Sequence, residues 1–242
     1  MVLVLDFGNT QIKTAVFEHN TLLEDRRIFY ERWQNEVEKI LALHTKIETI
    51  VVASVKNNAN FEFLQATKLV SIVFISHDSK FPFTNLYKTP KTLGIDRMIL
   101  AAGAVFQFPN KNRLIIDAGT CITYDFVDKK DNYLGGAISP GIRLRYESLH
   151  NYTDKLPSLT IEMPETTIGT STNQAIHSGV VKGVLFEIEG FAKSYFKNDD
   201  NFIIILTGGD SIFLANRLKN TIFANSNFLL ESLNQTFQYN QQ

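Results

Sequence analysis

The stretch VLVLDFGNTQIKTAVF at residues 2–17 has a counterpart, LIIDAGTCITYDFV, at residues 114–127. Each is an apolar run ending in Asp, then a turn containing Gly and Thr, then a second run rich in β-formers. With Asp6 set over Asp117, Gly8 falls over Gly119 and Thr10 answers Thr120, the second turn being one residue shorter. Val2–Leu5 is aliphatic at every position, as in a strand buried on both faces. Gly8 omits the Cβ that would hold backbone away from an anion, and it permits φ > 0. Successive N–H groups in such a turn form an anion-binding concavity. Asn9 and Thr10 add short polar groups that suit a turn and bond oxygen ligands. Lys13 follows on the next strand, either to neutralise phosphate charge or as a plain edge-strand lysine. Asp6 would repel phosphate directly, so Mg²⁺ between the two is the expected solution. One such loop reads equally well as a plain β-turn; the repeat makes it architecture. Two copies facing each other across a cleft would grip a nucleotide from both sides.

The rest of the chain reads outward from these hairpins. Strands are expected at 2–6, 12–18 and 22–29, a helix at 33–43, a strand at 48–53, a helix near 60–69 and a strand at 71–76. Residues 77–94, interrupted by Pro82 and Pro90, read as loop. A helix at 96–108 precedes a boundary at 110–113, which gives domains of 1–112 and 113–242. The second half restarts with strands at 114–118 and 122–128 and a hairpin return near 133–138 carrying Gly135 and Gly136. Helices at 141–150 and 171–196, a strand at 202–207, a helix from Ser211, a strand near 221–224 and a helix at 227–238 complete it. Strands alternating with helices, broken by antiparallel meanders, indicate a mixed-sheet α/β fold. A third glycine turn, Thr207-Gly208-Gly209-Asp210-Ser211, would let a nucleoside approach the backbone.

Composition narrows the function. The 242 residues carry 24 basic and 25 acidic side chains, a formal charge of −1, which argues against a nucleic-acid footprint. No apolar run approaches the roughly 18–20 residues of a membrane span, and no charged leader precedes Val2. Cys121 is the single cysteine, so no intrachain disulfide forms, and a reducing cytoplasm is expected. A lone cysteine is most often a small core residue, and none of the five histidines has metal-ligand spacing. No GxxxxGK[ST] occurs, which excludes a P-loop kinase.

Two Asp-Gly-Thr loops half a chain apart and a late Gly-Gly turn resemble the superfamily of acetate and sugar kinases, Hsp70 and actin, built from two duplicated ribonuclease-H-like domains around a cleft. Within it the chain resembles the type III pantothenate kinases over nearly its full length. The resemblance is carried by DFGNTQIK at 6–13, LGIDR at 93–97, IDAGTCITYD at 116–125, GGAISPG at 135–141, LP at 156–157, GTSTNQAIHSG at 169–179 and TGGDS at 207–211. It implies ATP-dependent phosphorylation of pantothenate to 4′-phosphopantothenate, the first step of coenzyme A biosynthesis, by a cytoplasmic homodimer using Mg²⁺ and a monovalent cation, K⁺ or NH₄⁺. By motif position, Asp6, Phe7, Gly8, Asn9, Thr10, Gln11, Ile12, Lys13 and Thr120 bind ATP. Asp6 holds Mg²⁺ through water. Asp96 is the proton acceptor, and Tyr87, Gly94, Ile95, Asp96, Arg97 and Thr172 line the pantothenate site. Asp117 contributes to the monovalent cation site. Ser171 stands where relatives commonly have Asn.

Plainer readings exist for several of these residues. Asp96 fits an acid in a helix first turn beside a surface Arg, and Thr172 fits a helix N-cap or first-turn residue. Asp125, eight residues beyond Asp117, shares its face if the strand runs regularly. At the level of function, the alternatives are a non-catalytic ATP-binding regulator on the same scaffold, or a kinase of the superfamily with another small acceptor. The Gly-Ile-Asp-Arg segment at 94–97 argues against the latter.

Overall fold

Along the first strand, Leu3, Leu5 and Phe7 join one apolar cluster while Val4 and Asp6 face the other way, and all five are buried. A strand so buried sits mid-sheet between layers of helix. The computed structural model describes residues 1–54, 61–66, 70–196, 201–218 and 222–242. The chain forms two units: Met1–Pro109 with Asp131–Tyr133 and Asn227–Gln242, and Asn110–Lys130 with Leu134–Ser226.

In the first unit, β1 (Val2–Phe7), β2 (Ile12–Glu18) and β3 (Thr21–Ile28) form the meander. Next come α1 (Trp33–Leu43), β4 (Thr49–Ser54), α2 (Glu62–Ala66), β5 (Ser71–Phe74), β6 (Thr84–Asn85) and α3 (Ile95–Gln107). The sheet order is β3-β2-β1-β4-β5, with β1–β2 antiparallel and β1–β4 and β4–β5 parallel. Trp33, Val37 and Ile40 give α1 its buried stripe against the cluster of Leu3, Leu5 and Phe7. Phe7 meets Trp33 and Phe61 edge-on, with ring centres 5.2 and 5.1 Å apart. The expected loop 77–94 contains β6, whose Thr84 and Asn85 pair in parallel with Asn132 and Tyr133. Of the helix expected near 60–69, Glu62–Ala66 is seen, and residues 60 and 67–69 lie outside the described residues.

In the second unit, β7 (Asn112–Ala118) and β8 (Cys121–Val127) form the second hairpin, and β9 (Asn132–Pro140) follows it. Then come α4 (Ile142–Asn151), α5 (Thr172–His177), α6 (Gly183–Phe196), β10 (Phe202–Thr207), α7 (Ser211–Ala215) and β11 (Ile222–Ala224). Residue 221 of the expected strand 221–224 lies outside the described residues. The second sheet has six strands in the order β6-β9-β8-β7-β10-β11. The five from β9 to β11 repeat the order of the first sheet and β6 is added beyond β9, with β7–β8 antiparallel and β7–β10 and β10–β11 parallel. The duplication seen in two short segments therefore extends to five strands of each sheet. Leu114, Ile116, Ile122 and Tyr124 face a core completed by Val181, Val184 and Ile188.

The helix expected at 171–196 is not uniform, because Ser178–Lys182 forms a π-helical turn between α5 and α6. Side chains anchored elsewhere flank the change of pitch. His177 Nδ1 lies 2.7 Å from Tyr146 Oη on α4, and Ser178 Oγ donates to the carbonyl of Thr167.

The last element, α8 (Phe228–Asn240), packs on α3, β1, β2 and β4, so it belongs to the first unit. A division at 112/113 puts it in the second. The reason is apolar surface: Phe228, Leu229, Leu230, Leu233 and Phe237 are all buried there. Gly103 on α3 lets the two helices touch, since a Cβ there would lie 1.8 Å from Ser232 Oγ.

Candidate functional site

The first loop begins where β1 ends. Asp6 is 3% exposed and pairs across the sheet with Lys13, whose Nζ is 3.9 Å from its Oδ2. Tyr30 donates from its hydroxyl to the carbonyl of Gly8, which braces the turn from below. Burial, then the nearby Asp6 charge, push the Tyr30 phenol above its ordinary pKa and keep it a donor. Asn9 and Thr10 are exposed at the tip, with Gly8, Gln11 and Lys13 partly so. Phe7 and Ile12 turn their side chains into the apolar core, leaving only their backbone to the loop.

A second cluster lies in the same unit, at the start of α3. Gly94 precedes the helix, and a Cβ on it would lie 2.4 Å from Asp96 Oδ1. The missing side chain therefore makes room for the Asp96 carboxylate, which folds back to accept from Arg97 N–H at 2.9 Å. His77 Nε2 lies 2.7 Å from the carbonyl of Leu93, just before this turn. Arg97 is 6% exposed, and its guanidinium carbon sits 5.8 Å from the centre of the Tyr87 ring. Tyr87, Gly94, Asp96 and Arg97 thus converge, while Ile95 is buried.

In the second unit, the loop after β7 is held by glycines whose purpose is internal packing. Gly208, at φ +94°, would place a Cβ 2.4 Å from Asp117 Oδ1 and 2.4 Å from the Ala118 carbonyl. Close approach to its own chain therefore requires glycine at position 208. Asp210 N–H donates to Ala118 at 3.0 Å, and Gly141 N–H donates to Thr120 at 3.0 Å. A Cβ on Gly141 would lie 2.2 Å from the carbonyl of Gly119. Thr120 is left exposed at the tip. Asp117 faces Thr123 across β7–β8, at the register position that Lys13 holds opposite Asp6. Thr123 Oγ1 is buried and makes no hydrogen bond among the described residues.

Asp125 is fully buried and pairs with Ile115, two residues before Asp117. It does share the Asp117 face, but through cross-strand register, because a turn separates the two. Cys121 is exposed at the start of β8, against the expectation of a core residue, because it borders the loop. Thr172 is the exposed first residue of α5, with Ser171 as N-cap accepting from Gln174 N–H at 3.3 Å. Tyr133 and His77, which touch Tyr87 and the Leu93 carbonyl, carried no sequence signal beyond their residue type. Among the described residues, no three His, Cys, Asp or Glu side chains gather as a metal cluster, and no helix is long and apolar enough to cross a membrane.

Two sheets of like topology, each with an Asp-Gly-Thr loop after its central strand, define the fold of the acetate and sugar kinase, Hsp70 and actin superfamily. Solved structures agree at the level of fold. A conserved Baf family protein from Campylobacter jejuni superposes with TM-score 0.68 at 22% identity, over 99% of this chain and 98% of that one. The ADPNP-bound activator of the 2-hydroxyisocaproyl-CoA dehydratase from Clostridium difficile superposes with TM-score 0.55 at 13% identity, over 99% and 95%. Residues 2–194 match the family model described as type III pantothenate kinase. Proteins named type III pantothenate kinase share 61% identity in Flavobacterium psychrophilum and 38% in Phocaeicola vulgatus, each over 99% of both chains. The chain belongs to the type III pantothenate kinase family.

Proposed function

We propose that the protein transfers the γ-phosphoryl group of ATP to the terminal hydroxyl of pantothenate, giving 4′-phosphopantothenate for coenzyme A synthesis. The observation that carries this reading is the Asp96 carboxylate, seated over Gly94 beside the Arg97–Tyr87 pair in a member of this family. Phosphoryl transfer needs positioning and charge neutralisation more than covalent help from the protein. Asp96 orients the alcohol and accepts its proton as attack proceeds. A carboxylate is too weak a base for a free alcohol, but it can take a proton acidified by bond formation. Arg97 offers a planar fork for the pantothenate carboxylate, with Tyr87 against it and the Thr172 hydroxyl as a further contact. Gly94 and Ile95 contribute backbone.

The loop from Asp6 to Lys13 holds the triphosphate through backbone N–H groups, the Thr10 hydroxyl and the Lys13 ammonium, and Thr120 adds a second hydroxyl. Asp6 suits Mg²⁺, a hard cation held by one carboxylate, waters and phosphate oxygens. Such an ion would neutralise charge on the transferring group. Asp117 suits a monovalent cation, K⁺ or NH₄⁺, because it faces the oxygen of Thr123 where Asp6 faces a lysine. The reading includes a cytoplasmic homodimer. Leu134 and Ile138, exposed along β9, support a second copy, and light scattering reads the mass directly.

The test is ADP release with pantothenate set against sugars, acetate and no acceptor. Pantothenate alone should stimulate release, and Asp96→Asn should nearly abolish it at similar ATP affinity. Stimulation by a sugar or by acetate in place of pantothenate, or parent-like turnover in the variant, overturns the assignment.

A further inference from the structure

We infer that Tyr133 is a positioning residue for the acceptor's carboxylate, acting through Tyr87 on Arg97. This rests on the reading of Tyr87 and Arg97 as acceptor-binding groups. Tyr87 stands just beyond β6, outside any helix or strand, so its ring depends on neighbouring side chains for a fixed orientation. Arg97 needs a fixed plane, because a bidentate grip on a carboxylate is directional.

The surroundings of Tyr133 supply that rigidity. Its side chain is fully buried, although it sits in the polar run Asp131-Asn132-Tyr133. Its backbone holds the segment that carries Tyr87: Asn85 pairs with Tyr133 in register, and Leu86 N–H donates to the Tyr133 carbonyl at 3.0 Å. Thr84 N–H donates to the Asp131 carbonyl at 2.8 Å, and Tyr87 N–H to Asn85 Oδ1 at 3.0 Å. The Tyr133 ring then meets the Tyr87 ring at 6.1 Å between centres, with 62° between planes, and backs onto Phe83 at 5.9 Å. Arg97 lies over Tyr87 at 5.8 Å, within reach of a cation–π contact. A continuous column, Phe83–Tyr133–Tyr87–Arg97, thus runs from a half-buried ring through the buried Tyr133 to the guanidinium. An edge-on aromatic pair restricts its partner ring, and a pre-oriented fork binds without the entropy of ordering it. The positioning role is assigned to the ring of Tyr133, not to its hydroxyl.

The experiment compares the full-length parent, Tyr133→Phe and Tyr133→Leu under saturating Mg–ATP. The acceptors are pantothenate and the same molecule with its carboxylate capped as a neutral methylamide. Tyr133→Phe should stay within about twofold of the parent, since the ring remains. Tyr133→Leu should raise KM for pantothenate about fivefold to tenfold, with kcat and the KM for ATP within about twofold. The parent's preference for the carboxylate over the amide should fall by the same factor, because the amide gains little from Arg97. Loss of core packing lowers the melting temperature in either case, but a residue that only fills the core would shift both acceptors alike. Equal losses for both acceptors, or an unchanged preference, overturn the positioning role alone. A parent with no preference for the carboxylate overturns the Arg97 reading and this inference with it. If Tyr133→Leu is insoluble, Tyr133→Met carries the same expectations. Failure of both to fold would mark Tyr133 as a folding residue and also overturn the inference.

Discussion

Gly94 matters for what it lacks. Its bare Cα leaves the space that the Asp96 carboxylate fills, so Gly94→Ala should displace that group while leaving the helix behind it intact. A misplacement of about 1 Å at a reacting group can cost about 10²-fold. Steady-state kcat should fall by that order with a near-parental melting temperature; a parental kcat would mean the carboxylate needs no such seat. Glu187 makes a different point. Burial pushes its carboxyl up, but hydrogen bonds from Arg145 at 2.6 Å and Tyr124 at 2.8 Å outweigh this and hold it below the ordinary value. A depressed carboxyl stabilises the fold above its unfolded pKa, about 4.3, and that contribution is lost as pH falls through the lower folded value. Urea unfolding should therefore weaken below about pH 5 in the parent and more shallowly in Glu187→Gln. The variant should also lose about 1–3 kcal/mol at neutral pH, with Arg145 left short of its partner. Parallel pH curves for the two proteins would rule this out. At this scale the sequence was partly legible. Asp6, Gly8 and Thr10 announced themselves as loop residues, and the aliphatic run Val2–Leu5 marked a strand buried on both faces. Tyr133 could not be found, because its meaning lies in a pairing with residues some 50 positions away.

Elements were legible wherever the apolar period was strong. Trp33, Val37 and Ile40 marked α1, and the two hairpins stood out from their turns. Two features escaped for a physical reason. β6 is two residues long and exists because Asn132 and Tyr133 pair with it, so local propensity carries no trace of it. The π turn at 178–182 depends on anchors from α4 and from Thr167, again non-local. The contact between α3 and α8 is also set by a pair of small residues far apart in sequence. Gly103→Ala would drive a methyl to within 1.8 Å of Ser232 Oγ and 2.5 Å of its Cβ. Overpacking of this kind costs about 1–3 kcal/mol. Thermal melts should show that loss, and adding Ser232→Gly should return part of it. No loss in the single variant would mean the helices can slide apart freely.

For the molecule as a whole, the duplication was readable from two loops, and the matching strand orders extend it to both sheets. What the linear order hid was that the first unit is completed by residues 227–242. A protein ending at Ser226 keeps β1, β2, β4 and α3 but exposes the surfaces that Phe228, Leu230 and Leu233 cover. At about 1.5–3 kcal/mol for each large apolar side chain, that loss rivals the entire stability of an ordinary domain. Circular dichroism melts of this truncation should show no cooperative transition for the first unit. A sharp, near-parental one would refute the role given to α8.

That arrangement also has a bearing on how the chain is made. β1 and the Asp6 loop leave the ribosome well before α8, so until α8 emerges the front sheet waits with one greasy side bare. Nascent chains of this protein should therefore lean on holding chaperones until α8 has emerged. A stop codon after Ser226 would spare every residue assigned to chemistry and still silence the enzyme.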